Sequence, residues 1–134
     1  MTRVPDALRL QVRERANQRC EYCRLPEHRL RYPFHAEHII AQQHDGTTTL
    51  DNLAWACVQC NHAKGPNIAS YDPETGDLTP LYHPRQQAWD DHFEIVEGEI
   101  IGKTAVGRVT VKLLKFNADP RVSLRRELIE AGEW

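Results

Sequence analysis

The sequence predicts an α+β fold, a small zinc-stapled core with flanking helices. Three observations lead there. The four cysteines occur only as two Cys-x-x-Cys pairs, Cys20 with Cys23 and Cys57 with Cys60. The 33 residues between the pairs exceed the roughly 15–20 of a simple zinc ribbon, so something is inserted. The insert reads as strand, loop and strand, and it runs into a short helix that carries the second pair.

Residues 5–18 read as a helix, with Pro5 in the first turn and Leu8, Val12 and Ala16 at i, i+4 and i+8. Its polar face carries Arg3, Arg9, Arg13, Arg15 and Arg19, set against Asp6, Glu14 and Glu21. A solvated face and a nucleic-acid contact both fit that composition. The helix runs straight into Cys20, which makes it a support for the first knuckle. Residues 25–33 are a polar connection with two prolines, where His28 and Arg29 are expected to face water. Phe34, Ala36, Ile39 and Ile40 then mark a strand, with an Asp45-Gly46 turn beyond it. Alternation puts His35 and Glu37 on one face of that strand and His38 on the other. Residues 50–57 return as a second strand, and 57–64 form a short helix stopped by Gly65-Pro66.

Further on, residues 71–78 read as a turn or hairpin, and 93–102 alternate about Gly98 as two short strands. Residues 104–117 carry both strand and helix signals; Val106, Val109, Leu113 and Leu114 favour the helix. Asp119 and Pro120 read as N-cap and first-turn proline of a last helix, with Val122, Leu124, Leu128 and Ile129 on its apolar side. Residues from about 93 to 134 are expected to form a strand-helix buttress, within a single domain spanning 1–134 whose core motif is 20–65.

Composition narrows the class. With 134 residues, 40% of them hydrophobic and 27% charged, one modest core is expected. No apolar run of about 18 residues occurs, and the start M-T-R-V-P-D-A-L-R has no apolar signal core. A cytoplasmic protein with no membrane partner is the expectation. Two disulfides or free buried thiols are then disfavoured against one four-thiolate zinc site. With four thiolates the zinc shell is closed, so its role is structural. The net charge of −2 does not itself point to nucleic acid, and phosphate binding would rest on local clusters.

Glu37-His38-Ile39-Ile40, Asp51-Asn52-Leu53-Ala54 and Cys57-Val58-Gln59-Cys60-Asn61-His62-Ala63-Lys64 resemble the HNH nucleases, whose fold is the ββα-metal or His-Me finger. The likeness runs from Arg19 to roughly Gly65, with the motif residues in the family's order and the cysteine pairs bracketing them. From Asn67 to Phe93 a looser likeness to a bacterial subgroup continues. The resemblance implies a divalent-metal-dependent endonuclease acting on DNA, or RNA, and leaving 5′-phosphate and 3′-hydroxyl ends. It implies that His38 is the general base, and that Glu37 and Asn61 hold one catalytic Mg²⁺ or Mn²⁺. Asn52 would bond across the loop to aim His38. Glu37 stands where Asp is more usual and Asn61 where the family's name expects His, and both keep a donor atom. His62 and His35 are near enough to supplement a ligand, while Lys64, His62 and Arg85 are candidate nucleic-acid contacts. Two other readings share the frame: a non-catalytic zinc-dependent nucleic-acid-binding module, which would not need Glu37, His38 and Asn61 together, and a nuclease active only with a partner.

Overall fold

The computed structural model describes residues 4–134; Arg3, assigned above to the arginine-bearing helix face, lies outside them. The chain divides into two compact units, Met1–Ile68 with His83–Gln86, and Ala69–Tyr82 with Gln87–Trp134.

The first unit opens with helix α1 (Asp6–Arg15), for which Pro5 is the N-cap, a place where its missing N–H costs nothing. The arginines of α1 turn toward the protein. Arg9 sits 4.8 Å from the centre of the Trp55 ring and donates to the Phe34 carbonyl at 3.3 Å. Arg13 pairs with Glu27 at 2.9 Å, and Arg15 donates to the carbonyls of Leu50 and Leu53 at 3.0 and 2.6 Å. These three side chains tether the helix to the strand region, a role that neither sequence expectation covers. The connection after the first knuckle is not all loop: Glu27–Arg29 form a 3₁₀ turn, and Arg19 pairs with Pro26 in an isolated bridge.

Strands β1 (His35–His38) and β2 (Leu53–Ala56) are antiparallel, with His35 opposite Ala56 and His38 opposite Leu53. Both are shorter than the sequence suggested, and Asn52 is the reason. Past His38 the ladder makes one more backbone bond, from Ile39 N–H to the Asn52 carbonyl at 2.8 Å. The Asn52 side chain then takes over: its Oδ1 accepts from Ile40 N–H and its Nδ2 donates to the Ile40 carbonyl, each at 2.9 Å. The carboxamide thus stands in for a peptide group, and residues Leu50–Asn52 are free to close as a 3₁₀ turn. A Cβ on Gly46 would fall on the Ile40 carbonyl, so the loop packs this tightly only with glycine there. Helix α2 (Val58–Lys64) follows, with the Cys57 sulfur accepting from the Cys60 N–H and Gly65 at its end.

The second unit holds hairpin β3 (Ala69–Tyr71) with β4 (Leu78–Pro80), helix α3 (Trp89–His92), hairpin β5 (Phe93–Val96) with β6 (Glu99–Gly102), and helices α4 (Ala105–Leu113) and α5 (Arg121–Glu130). The β5–β6 turn places Glu97 and Gly98 at φ of 51° and 84°, the left-handed pair that tight hairpins need. Thr104 caps α4 by accepting from the Gly107 N–H at 3.0 Å. The expected Asp119 cap is not made: α5 starts one residue later, with Pro120 in the N-cap position and no side-chain cap bond. Phe93 centres the core, with ring centroids of Tyr82, Trp89 and Phe116 at 5.3, 4.9 and 5.7 Å. Asn117 repeats the device of Asn52, exchanging bonds of 2.8 and 2.9 Å with the backbone of Ile100.

The architecture is therefore α+β, small antiparallel sheets and helices with the four cysteines clustered, as the sequence predicts. Among the described residues no helix is long and apolar enough to cross a membrane.

Candidate metal centre and catalytic cleft

The Cys20-x-x-Cys23 turn and the start of α2 bring all four sulfurs within 4.8 Å of one another, and all four residues are buried. Tetrahedral Zn–S bonds of about 2.3 Å put sulfurs roughly 3.8 Å apart, and Cys23 and Cys57 stand 3.8 Å apart. Cys23 N–H points at the Cys20 sulfur at 3.5 Å and Cys60 N–H at the Cys57 sulfur at 3.4 Å. Backbone donors aimed at sulfur favour thiolates. Burial first, and then the neighbouring sulfurs, push the Cys20 and Cys60 thiols up, so the charged forms require a cation among them. The donor set, its closure and its size fit a structural metal ion such as zinc.

Next to this centre, an open cleft of about 590 Å³ is lined by β1, the loop after it and α2, with His35, Glu37, His38, Gln42, Asn61 and His62 on its walls. Alternation puts Glu37 and His38 on opposite faces of a regular strand, yet both line this cleft. Glu37 is 6% exposed, and its Oε1 accepts from the Tyr22 hydroxyl at 2.8 Å and lies 3.5 Å from Lys64 Nζ. Burial drives its carboxyl up to about 7, against the pull of Lys64 and Tyr22. His38 is half-buried; its Nε2 lies 2.8 Å from Thr48 Oγ1. A hydroxyl thus holds the ring at this nitrogen. Burial lowers the His38 pKa, and Lys64 lowers it further, so the imidazole is neutral at pH 7.

Asn52 is buried and ties Ile40 to Thr47, to which Nδ2 donates at 2.8 Å. It closes the base of the loop that carries Thr48, and thereby fixes the partner of His38.

Lys64 is not at the surface, where a phosphate contact requires it. It is 1% exposed, with Nζ donating to the carbonyls of Ile39 and His38 at 2.8 and 3.4 Å. The side chain reaches inward because the end of β1 offers carbonyls and Glu37 offers charge. Arg85 is likewise engaged, its guanidinium on the Glu21 carboxylate, and burial brings its pKa down to about 10. Of the three candidate contacts only His62 is exposed. Removing the Lys64 ammonium leaves the Ile39 carbonyl without its donor while Glu37 takes up a proton, so Lys64→Met is expected to destabilise the fold by about 1–3 kcal/mol, read as a lowered midpoint in urea.

Two contributors escape a reading by motif. Tyr22 lies inside the first Cys-x-x-Cys turn, and its place beside two metal ligands was the available signal that it faces α2 and β1. Thr48 sits in a run of three threonines, Thr47, Thr48 and Thr49, and nothing in the run marks which one reaches His38.

Residues 20–67 match the HNH endonuclease family. The HNH segment opens on Cys20 and includes all four sulfurs together with Glu37, His38, Asn52 and Asn61. No curated protein and no solved structure matches the chain.

Proposed function

We propose that the chain is a divalent-metal-dependent endonuclease that hydrolyses DNA phosphodiester bonds, with His38 as general base. One observation carries this reading: a neutral histidine, held by Thr48, stands beside a buried carboxylate and Asn61 in one open cleft of the HNH segment. In the tautomer that donates from Nε2 to Thr48, Nδ1 is left to take a proton from water. Glu37 and Asn61 offer hard oxygen donors of the kind Mg²⁺ or Mn²⁺ accepts. Tyr22 and Lys64 both engage Oε1 of Glu37, which leaves Oε2 for the ion. When bound, such an ion neutralises charge building on the scissile phosphate and the leaving oxygen. His38 deprotonates the attacking water from the opposite side, and His62 at the cleft wall faces the phosphate. The four-thiolate zinc keeps α2, and with it Asn61, in register with β1.

Supercoiled plasmid incubated with the zinc-loaded protein tests this. Nicking with Mg²⁺ or Mn²⁺ and none in their absence supports it. A folded, zinc-loaded chain that binds DNA and never cuts is a binding module instead.

The buried carboxylate adds a pH signature. Without a cleft ion, folded Glu37 keeps its proton up to about 7, whereas its ordinary value is 4.5. The folded state then holds more protons than the unfolded chain across that window, so stability falls as pH rises through it. An ion must displace the same proton. Mn²⁺ affinity is therefore expected to rise by about tenfold per pH unit below about pH 7 and to level off above it. Calorimetric titration checks this, and a flat profile would place the ion away from Glu37.

A further inference from the structure

A second cavity lies beside Phe34. It measures about 220 Å³. Leu30, Tyr32, Phe34 and Val58 form its apolar walls, and Arg31 and Gln59 its polar edge. Phe34 is buried, but Tyr32 is 63% exposed, an aromatic ring left half in water at the lip of an apolar slot. The segment around it, His28-Arg29-Leu30-Arg31-Tyr32-Pro33-Phe34-His35, contains no acidic residue, and Arg29, Arg31 and Tyr32 are all exposed. Cationic charge beside an accessible ring and an apolar slot is the chemistry that grips a nucleic-acid strand: the charge meets phosphate and the ring meets the face of a base.

Size and position select the occupant. The volume is below the roughly 300–1,000 Å³ typical of sites for drug-sized ligands, which suits a single base. Phe34 is followed directly by His35, which lines the catalytic cleft, and Val58 and Gln59 precede Asn61 and His62 on α2. Three residues of helix advance about 4.5 Å, comparable with the roughly 3.4 Å between neighbouring nucleotides along one strand of a duplex. A strand whose phosphate lies in the catalytic cleft therefore carries an adjacent base to the slot. A paired base keeps its faces stacked in the duplex and cannot enter such a slot without leaving the stack.

We propose that the slot walled by Tyr32, Phe34 and Val58 binds one unpaired base of a DNA strand next to the cleavage point, with Tyr32 as its stacking platform and Gln59 reading the base edge. The nuclease thereby favours single-stranded or distorted DNA over intact duplex. This inference rests on the nuclease reading above.

The test uses the full, zinc-loaded chain without added divalent ion, and a deoxyoligonucleotide carrying one 2-aminopurine, offered as a single strand and as a duplex at one salt concentration. Tighter binding of the single strand, with quenching of the 2-aminopurine, is expected. Stacking of one base is worth enough that Tyr32→Ala should weaken single-strand binding by about tenfold. Tyr32→Phe should stay within about twofold of wild type, because the ring is kept. Duplex binding and zinc content should not change in either variant. Equal single-strand affinity for wild type and Tyr32→Ala, or equal losses for single strand and duplex, would overturn the slot while plasmid nicking persists. A wild type that binds neither form and does not nick would overturn the nuclease reading itself.

Discussion

Replacing His38 with alanine is expected to cost about 10²–10⁴ in the rate of metal-dependent plasmid cleavage, the usual contribution of a positioned general base. Zinc content and the far-ultraviolet spectrum should stay at wild-type values. The separation follows from geometry. The His38 ring touches the Thr48 hydroxyl, whereas β1 and β2 are held together by the ladder and by the Asn52 carboxamide. The His38 main-chain carbonyl, which receives Lys64, is present in the alanine variant too. A variant that lost zinc and cleavage together would make His38 a structural residue and would remove the base from the proposal.

Metal removal should act in the opposite way, abolishing structure and activity at once. Structural zinc sites contribute about 10–16 kcal/mol of apparent binding free energy at neutral pH, as large as the whole of the roughly 5–15 kcal/mol by which a typical domain is stable. All four cysteines are buried, so without the ion their thiols face one another with no charge to bind and no water to solvate them. Cys57→Ser, or stripping with a strong chelator, is expected to leave the first unit unfolded by circular dichroism at 25 °C. Recovery on adding Zn²⁺ to the stripped wild type, and none for the serine variant, completes the check. A stripped chain with an unchanged spectrum would show that the sulfur cluster packs well enough as thiols.

The contrast between these variants tracks what could be read in the sequence. The frame was legible because its signals are local and chemically narrow: two Cys-x-x-Cys pairs, a glycine stop at Gly65 and an alternating stretch about Gly98. The turn at Glu97 and Gly98, and helix α2, fall where those signals put them. The ends of β1 and β2 were not legible, since the residue that cuts them short, Asn52, does so with its side chain across a loop. Lys64 misleads for a similar reason. A lysine near a helix terminus reads as solvated, and only the neighbouring end of β1, with two open carbonyls and a buried carboxylate, draws it inside. Arg9 and Arg15 of helix α1 illustrate the same limit, because their hydrogen-bond partners are the main-chain carbonyls of Phe34, Leu50 and Leu53, which no side-chain motif reports. Glu37, His38, Asn61 and His62 all line one cleft.

The chain leaves the first unit after Ile68 and comes back to it for His83–Gln86. In that short return Arg85 neutralises Glu21, whose other carboxylate oxygen receives the Trp55 N–H of β2 at 2.7 Å. Protein engineers who wish to transplant the four-cysteine core into another scaffold should not excise it at the borders of the segment that matches the HNH family. A graft of residues 20–67 alone would carry an acidic side chain stripped of its counterion, and would leave behind the arginines that clamp the hairpin from α1. The portable cassette is discontinuous, and a transplant needs the four-residue return loop supplied as a second piece.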